Sequence, residues 1–372
     1  MHKLIEYYVT NTTINIFVLG NDIPNNPYCF QIQRSYSSLY NLIKHFRNNI
    51  VLQKNVDVIV EELYEVLIRP LVDNSILTPG ENIYISPHRC LHYIPFQLLG
   101  YKNKPLILTN HIAYLPAGSF LTYFSHKKHK GNRCLVIKKS AKDDSLKLKQ
   151  SFAREAKNVS SLLQADLIQG SEANFDNIAK QSGDKRIIHF TCHGSFHSQD
   201  AESSGLLISD EKGNDINLKI SEISQIPFKA DLITLAACET GINEEHPGDE
   251  LIGLMRSFFL SGAKSVIASL WSVHSLSTEI FFENFYNYLL SGKSKIESLN
   301  LAQIDLMNLT AKDVKNRLER EIKCRENHDI EDDYLRNWMS NILSFIRSKR
   351  NNNHVFQHPY FWSPFILTGG WN

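Results

Sequence analysis

Short, unbroken apolar runs that end on a histidine, a cysteine or a glycine dominate the second half of the chain. Arg186-Ile-Ile-His-Phe-Thr-Cys192 stops at His193-Gly194, and Asp231-Leu-Ile-Thr-Leu-Ala-Ala237 stops at Cys238. Such runs lack the alternation of a half-buried strand and read as strands covered on both faces, the pattern of a parallel sheet. Upstream, Arg133 to Lys138 predicts a strand, Phe152 to Leu163 an amphipathic helix, Asp166 to Gln169 a strand and Asn174 to Gln181 a helix. Strands alternating with helices imply right-handed crossovers within one sheet. Gly205 to Asp210 and Asp215 to Leu218 flank Glu211-Lys-Gly-Asn214 as a hairpin between the two principal strands. After Cys238 the pattern predicts a loop over 239–248, a helix from Asp249 to Leu260 with Asp249 as its N-cap, and a strand from Ser265 to Val273. Helices over Thr278 to Leu290 and Lys295 to Leu309 follow, and Phe365 to Thr368 is the closing strand.

The first third is patterned differently. Leu4 to Val9 and Ile14 to Leu19 form a hairpin signal around Thr10-Asn-Thr-Thr13, and Tyr28 to Gln33 adds a strand. Ser37 to Phe46 and Val56 to Leu71 have helical periodicity, and Asn82 to Ser86 is a short strand. Pro87 and Pro95 bracket an apolar stretch in which no regular element is expected. His92 and His111 read as structural histidines more readily than as site residues. The polar, basic stretch Ser125 to Asn132 is the boundary predicted by composition, dividing an N-terminal half (1–125) from a second half (133–372). A charged insertion interrupts the latter at about 310–353, with six basic residues between Lys312 and Arg325.

Composition narrows the function. Forty Lys and Arg against 39 Asp and Glu leave no global field to recruit nucleic acid or an anionic membrane. With no signal-like start and no apolar run near the ~18 residues of a membrane span, the expectation is a cytoplasmic protein. The six cysteines are scattered, without the paired spacing of a zinc site, so neither metal nor cofactor is expected.

What remains is the chemistry of the two strand ends. If the strands are neighbours, an imidazole and a thiol share one rim of the sheet, where reactive groups of open α/β sheets gather. The thiolate is the nucleophilic form, and a nearby imidazole can take its proton. Gly194, without a Cβ, lets its N–H approach a reacting carbonyl, and with the N–H of Cys238 it makes an oxyanion hole. The plainer alternative is that Cys238 is a small buried hydrophobe and His193 a capping side chain.

His189-Phe-Thr-Cys-His-Gly194 and Leu235-Ala-Ala-Cys-Glu-Thr-Gly241 resemble the histidine and cysteine motifs of the CHAT family of caspase-like proteases. Gly248-Asp-Glu-Leu-Ile-Gly-Leu254 with Gly262-Ala263, His358-Pro-Tyr-Phe-Trp-Ser-Pro-Phe365 and Leu91-His-Tyr-Ile-Pro-Phe96 resemble three further segments of that family. The resemblance implies a caspase-like α/β/α sandwich with a mostly parallel central sheet, joined to a smaller, degenerate α/β N-terminal half. It implies a cysteine endopeptidase with a Cys238–His193 dyad, acting in bacterial defence or cell death on a partner protein such as a gasdermin-like pore former. No tetratricopeptide array accompanies the motifs, so a separate sensor or regulator protein, or the insertion, is expected to carry the signal. Relatives of this fold that cut after basic residues need a carboxylate in the first pocket. Asp249 is the first candidate, with N-capping as its competing role, and Asp200 and Glu202 are in reserve. An acid-directed pocket would need an arginine, such as Arg133 or Arg186. The competing function is a catalytically silent CHAT scaffold that mediates protein–protein interaction.

Overall fold

A computed structural model of the chain describes residues 2–20, 27–102, 104–123, 133–195, 204–236, 250–272, 274–326 and 353–372. In the first third the strands are β1 (His2–Val9), β2 (Thr13–Gly20), β3 (Tyr28–Gln33), β4 (Asn82–Ser86), β5 (Gly100–Tyr101), β6 (Lys104–Pro105) and β7 (His111–Tyr114). The remainder supplies β8 (Arg133–Lys139), β9 (Asp166–Gln169), β10 (Lys185–Cys192), β11 (Gly194–Ser195), β12 (Gly205–Ser209) and β13 (Asp215–Lys219). β14 (Leu232–Leu235), β15 (Ser265–Ser269) and β16 (Phe365–Gly369) complete the set.

Among the described residues, eleven strands form one sheet in the order β3-β2-β1-β4-β7-β16-β15-β14-β10-β8-β9. β9, β8, β10, β14 and β15 are parallel. β16 is antiparallel to β15 and parallel to β7, so the direction reverses at the closing strand. The expected mixed α/β architecture with a mostly parallel central sheet is therefore present, with the closing strand β16 in its middle, between β7 and β15.

Side-chain alternation along β10 shows what covers each face. Phe190 points at Phe228 and at Phe258 of helix Glu250–Leu260, with ring centroids 6.1 and 6.0 Å away. His189 points the other way, 5.0 Å from Phe282 of helix Ser275–Leu290. Helix Leu146–Leu163 lies on that second face and is clamped to Ser275–Leu290 by a buried ion pair between Arg154 and Glu279. Arg154 Nε donates to Glu279 Oε2 at 2.8 Å, and Asn158 Nδ2 donates to Oε1 at 3.1 Å.

Two buried glutamines secure the seam. Gln97 Nε2 donates to the carbonyls of Ser363 and Phe365 at 2.8 and 3.1 Å, and its Oε1 accepts from Tyr114 Oη at 2.8 Å. Gln303 Nε2 donates to Trp362 and again to Phe365, at 2.8 and 3.1 Å. The stretch between Pro87 and Leu99 is thus built of short 3-10 turns, at Arg89–Tyr93 and Phe96–Leu98, that reach the closing segment.

Several boundaries differ from those the pattern predicts. The helix expected over 56–71 is two, Asp57–Leu67 and Arg69–Asp73, because Pro70 has no N–H to return to the preceding turn. The helix expected from Phe152 begins at Leu146, where Ser145 Oγ accepts from the N–H of Leu148; its first turns are too polar to show the period. The strand predicted from Ser265 to Val273 ends at Ser269. β7 was not predicted, since four residues give no readable period. The predicted boundary at 125–132 and most of the 310–353 insertion lie outside the described residues. Helix Ala311–Glu326 opens that insertion, and its two ends are pinned together. Ala311 N–H donates to Asn353 O at 3.0 Å and Val355 N–H to Leu309 O at 2.9 Å.

Candidate active site

β10 carries polar side chains on one face at every second position: His189, Thr191 and, one step past the strand, His193. The first two are solvent-free and meet Glu155 of helix Leu146–Leu163. His189 Nε2–H donates to Glu155 Oε1 at 3.1 Å and Thr191 Oγ1 donates to the same oxygen at 3.0 Å. His189 Nδ1 lies 2.8 Å from Thr234 Oγ1 and 3.1 Å from Tyr286 Oη. Burial raises the Tyr286 phenol well above its ordinary range, so it remains a neutral hydroxyl in this network. Every polar group here has a partner, and β10 is locked in register beneath the rim.

His193 is partly open, with 19% of its side chain exposed. Its Nε2–H donates to Asp144, whose two carboxylate oxygens are both 2.9 Å away. The ring packs against Phe152, with centroids 5.1 Å apart. Asp144 belongs to the loop between β8 and helix Leu146–Leu163, and its Oδ2 also accepts from the N–H of Ala141 at 2.7 Å. A carboxylate on one ring nitrogen fixes the ring plane and the tautomer and leaves Nδ1 as the proton-accepting atom. Sequence reasoning missed Asp144. The available signal was its position: an acidic residue just beyond the carboxyl end of the strand next to the histidine strand, ahead of an amphipathic helix.

β14, which leads to Cys238, is the immediate parallel neighbour of β10. His189 pairs with Thr234 and Phe190 with Leu235, an offset of 45 residues. The N–H of Ala236 continues the ladder to Phe190 O at 2.9 Å. Cys238, Asp249, Asp200 and Glu202 lie outside the described residues. Gly194 is buried and opens β11, paired with Leu206 of β12. Arg133 and Arg186 stand at the opposite ends of their strands, roughly 20 Å from His193 at about 3.3 Å per strand residue. They pair instead with Asp184 at 3.1 Å and Asp231 at 3.9 Å, which removes them as candidates for a pocket beside His193. His111 bonds Asn82 across β7 and β4, at 3.0 Å from Nδ1. The His92 imidazole is pushed down to about 3, chiefly by burial and further by Arg256 and His88. The bond to Asn82 ties His111 to the sheet, the structural role that the sequence reading favoured for it. Among the described residues, no group of three or more His, Cys, Asp or Glu side chains is arranged to hold a metal ion.

The family model of the CHAT domain matches residues 58–370. The chain belongs to the CHAT domain family. The match takes in β10, β14 and the loop that carries Asp144, and it ends within the closing segment. Human tetratricopeptide repeat protein 28 is 30% identical over 114 residues, which is 30% of this CHAT chain and 5% of the length of that protein. Among solved structures, the Arg-specific cysteine proteinase gingipain R aligns over 90% of this chain and 74% of its own, with 9% identity and a TM-score of 0.46. Separase in the Saccharomyces cerevisiae separase–securin complex aligns over 81% of this chain and 28% of its own, with 9% identity and a TM-score of 0.48.

Proposed function

We propose that this CHAT domain is a cysteine endopeptidase in which Cys238 is the nucleophile, His193 its base and Asp144 the group that orients His193. The observation that carries the reading is the register of β10 and β14. Their offset of 45 residues equals that between His193 and Cys238, which supports a dyad built beyond the ends of neighbouring parallel strands. The Asp144 contact adds a reason for His193 to be there. A partly exposed imidazole held through Nε2 is prepared to exchange a proton at Nδ1.

In the proposed reaction Nδ1 takes the Cys238 thiol proton as sulfur attacks the scissile carbonyl. The N–H groups of Gly194 and Cys238 receive the developing oxyanion. The imidazolium, steadied by Asp144, returns the proton to the leaving amine, leaving a thioester on Cys238. Water then attacks the thioester, giving its proton to Nδ1, and the thiol is re-formed as the new carboxyl group departs. Asp249, Asp200 and Glu202 remain the proposed carboxylates for a basic residue before the cut. The proposed substrate is a partner protein, a gasdermin-like pore former in a bacterial defence or cell-death setting, with a separate sensor or regulator chain.

Fluorogenic peptides differing in the residue before the cut test the reading. Cys238→Ala and His193→Ala abolish turnover, and Asp144→Asn lowers kcat roughly 10-fold or more with little change in KM. An electrophilic peptide probe that labels Cys238 equally well in wild type and His193→Ala, with no peptide cleaved, rejects the protease and leaves the silent scaffold.

A further inference from the structure

The hairpin β12–β13 holds both the backbone of His193 and the loop that carries Asp144. On one side, the N–H of Leu207 in β12 donates to His193 O at 2.8 Å, continuing the pairing of β11 with β12. On the other, Asp215 at the start of β13 grips the loop that carries Asp144. Its Oδ2 accepts from the N–H of Lys142 at 2.6 Å, and its Oδ1 faces the ammonium of buried Lys139 at 2.7 Å. Asn214, beside it, accepts from Lys142 Nζ at 2.9 Å, and Lys149 Nζ donates to Lys142 O at 2.6 Å. Lys142 directly follows Ala141, the residue whose N–H holds Asp144.

The hairpin itself is tight. A Cβ at Gly205 would lie 2.1 Å from Leu218 O, so only glycine lets β12 approach β13 this closely. Asp215 pairs with Ser209 at the turn end of this hairpin, where its carboxylate meets the 140–145 loop.

We propose, building on the dyad reading of His193, that Asp215 is a positioning residue: it fixes the Asp144 loop to the same hairpin that holds the His193 backbone, and so sets the Asp144–His193 contact. Asp215 touches no reacting atom and acts through Lys142 and Ala141. Its carboxylate suits this work. Burial disfavours its charge, but the Lys139 ammonium and the Lys142 N–H more than offset that and hold it below the ordinary carboxylate range.

The test uses the full chain and a readout that needs no substrate. The ring Nε2–H proton of His193 is observed by NMR, assigned by its loss in His193→Gln and by its disappearance in Asp144→Asn. Asp215→Asn is expected to speed exchange of that proton with solvent about 10-fold or more, because an anchored N–H···O⁻ contact becomes intermittent. Alkylation of Cys238 by iodoacetamide slows roughly 3- to 10-fold in the same variant. If Asp215→Asn does not fold, Asn214→Ala at the exposed neighbouring position gives a smaller change in the same direction. A His193 Nε2–H signal in the folded variant that coincides with wild type overturns the role of Asp215. Failure of the dyad itself is seen separately, as Cys238 alkylation that does not respond to His193→Gln.

Discussion

His193 and His92 show how one residue type is put to opposite uses by its surroundings. His193 keeps an open edge and a carboxylate partner, whereas His92 is held neutral by burial near Arg256. The His92 shift has a consequence for stability. Its folded-state value of about 3 lies below the ordinary 6.5, so above pH 6.5 neither folded nor unfolded chain protonates it and the contribution is complete. As pH falls below 6.5 the unfolded chain binds a proton that the folded chain refuses, and stability is lost progressively down toward pH 3. At pH 5 this amounts to about 2 kcal/mol, from ~1.4 kcal/mol per pH unit. Denaturant midpoints for wild type and His92→Asn, measured at pH 7.5 and pH 5, are expected to show the wild type losing that much more than the variant. At this scale the sequence was informative about His193, whose Gly neighbour and strand end are local. It was silent about Asp144, because the approach of a loop 49 positions away is not written in any spacing.

Helix Leu146–Leu163 is the element on which the rim depends. Its leading loop presents Asp144, its second turn sets Phe152 against His193, its middle bonds β10 through Glu155, and Arg154 ties it to helix Ser275–Leu290. Removing one partner of a nearly solvent-free ion pair leaves the other charge buried and uncompensated. Glu279→Ala is therefore expected to cost about 3–5 kcal/mol in chemical denaturation, and a double replacement, Arg154→Met with Glu279→Leu, to recover most of it. A double variant as unstable as the single would show that the pair contributes something other than relief of buried charge. The pattern of apolar positions made this helix visible only from Phe152 onward. Its first two turns, Leu146-Lys-Leu-Lys-Gln-Ser151, are organised by the Ser145 cap and by docking, neither of which produces a hydrophobic period.

Across the whole molecule the seam at β16 turns two sets of parallel strands into one sheet. Gln97, from the first third, satisfies two carbonyls of the closing segment, while Tyr84 of β4 stacks on Trp371 with ring centroids 3.7 Å apart. Gln97→Leu leaves the Ser363 carbonyl without its donor, and Phe365 with the Gln303 donor alone. An unmet buried acceptor costs about 1–3 kcal/mol, which is the expected loss in thermal or denaturant unfolding. Unchanged stability would mean that water or a shift of β16 replaces the amide. The run of apolar strands alternating with helices determined the α/β class, the parallel sense of β9, β8, β10, β14 and β15 and the strand end that leads to His193, because burial on both faces removes polar residues from a strand wherever it lies. The tertiary structure alone decided that the last strand sits between β7 and β15, that β10 and β14 are neighbours with an offset of 45 residues, and that Asp144 meets His193. Those are contacts between segments far apart in the chain, and they are selected by which faces pack and which buried polar groups find partners, not by local preference.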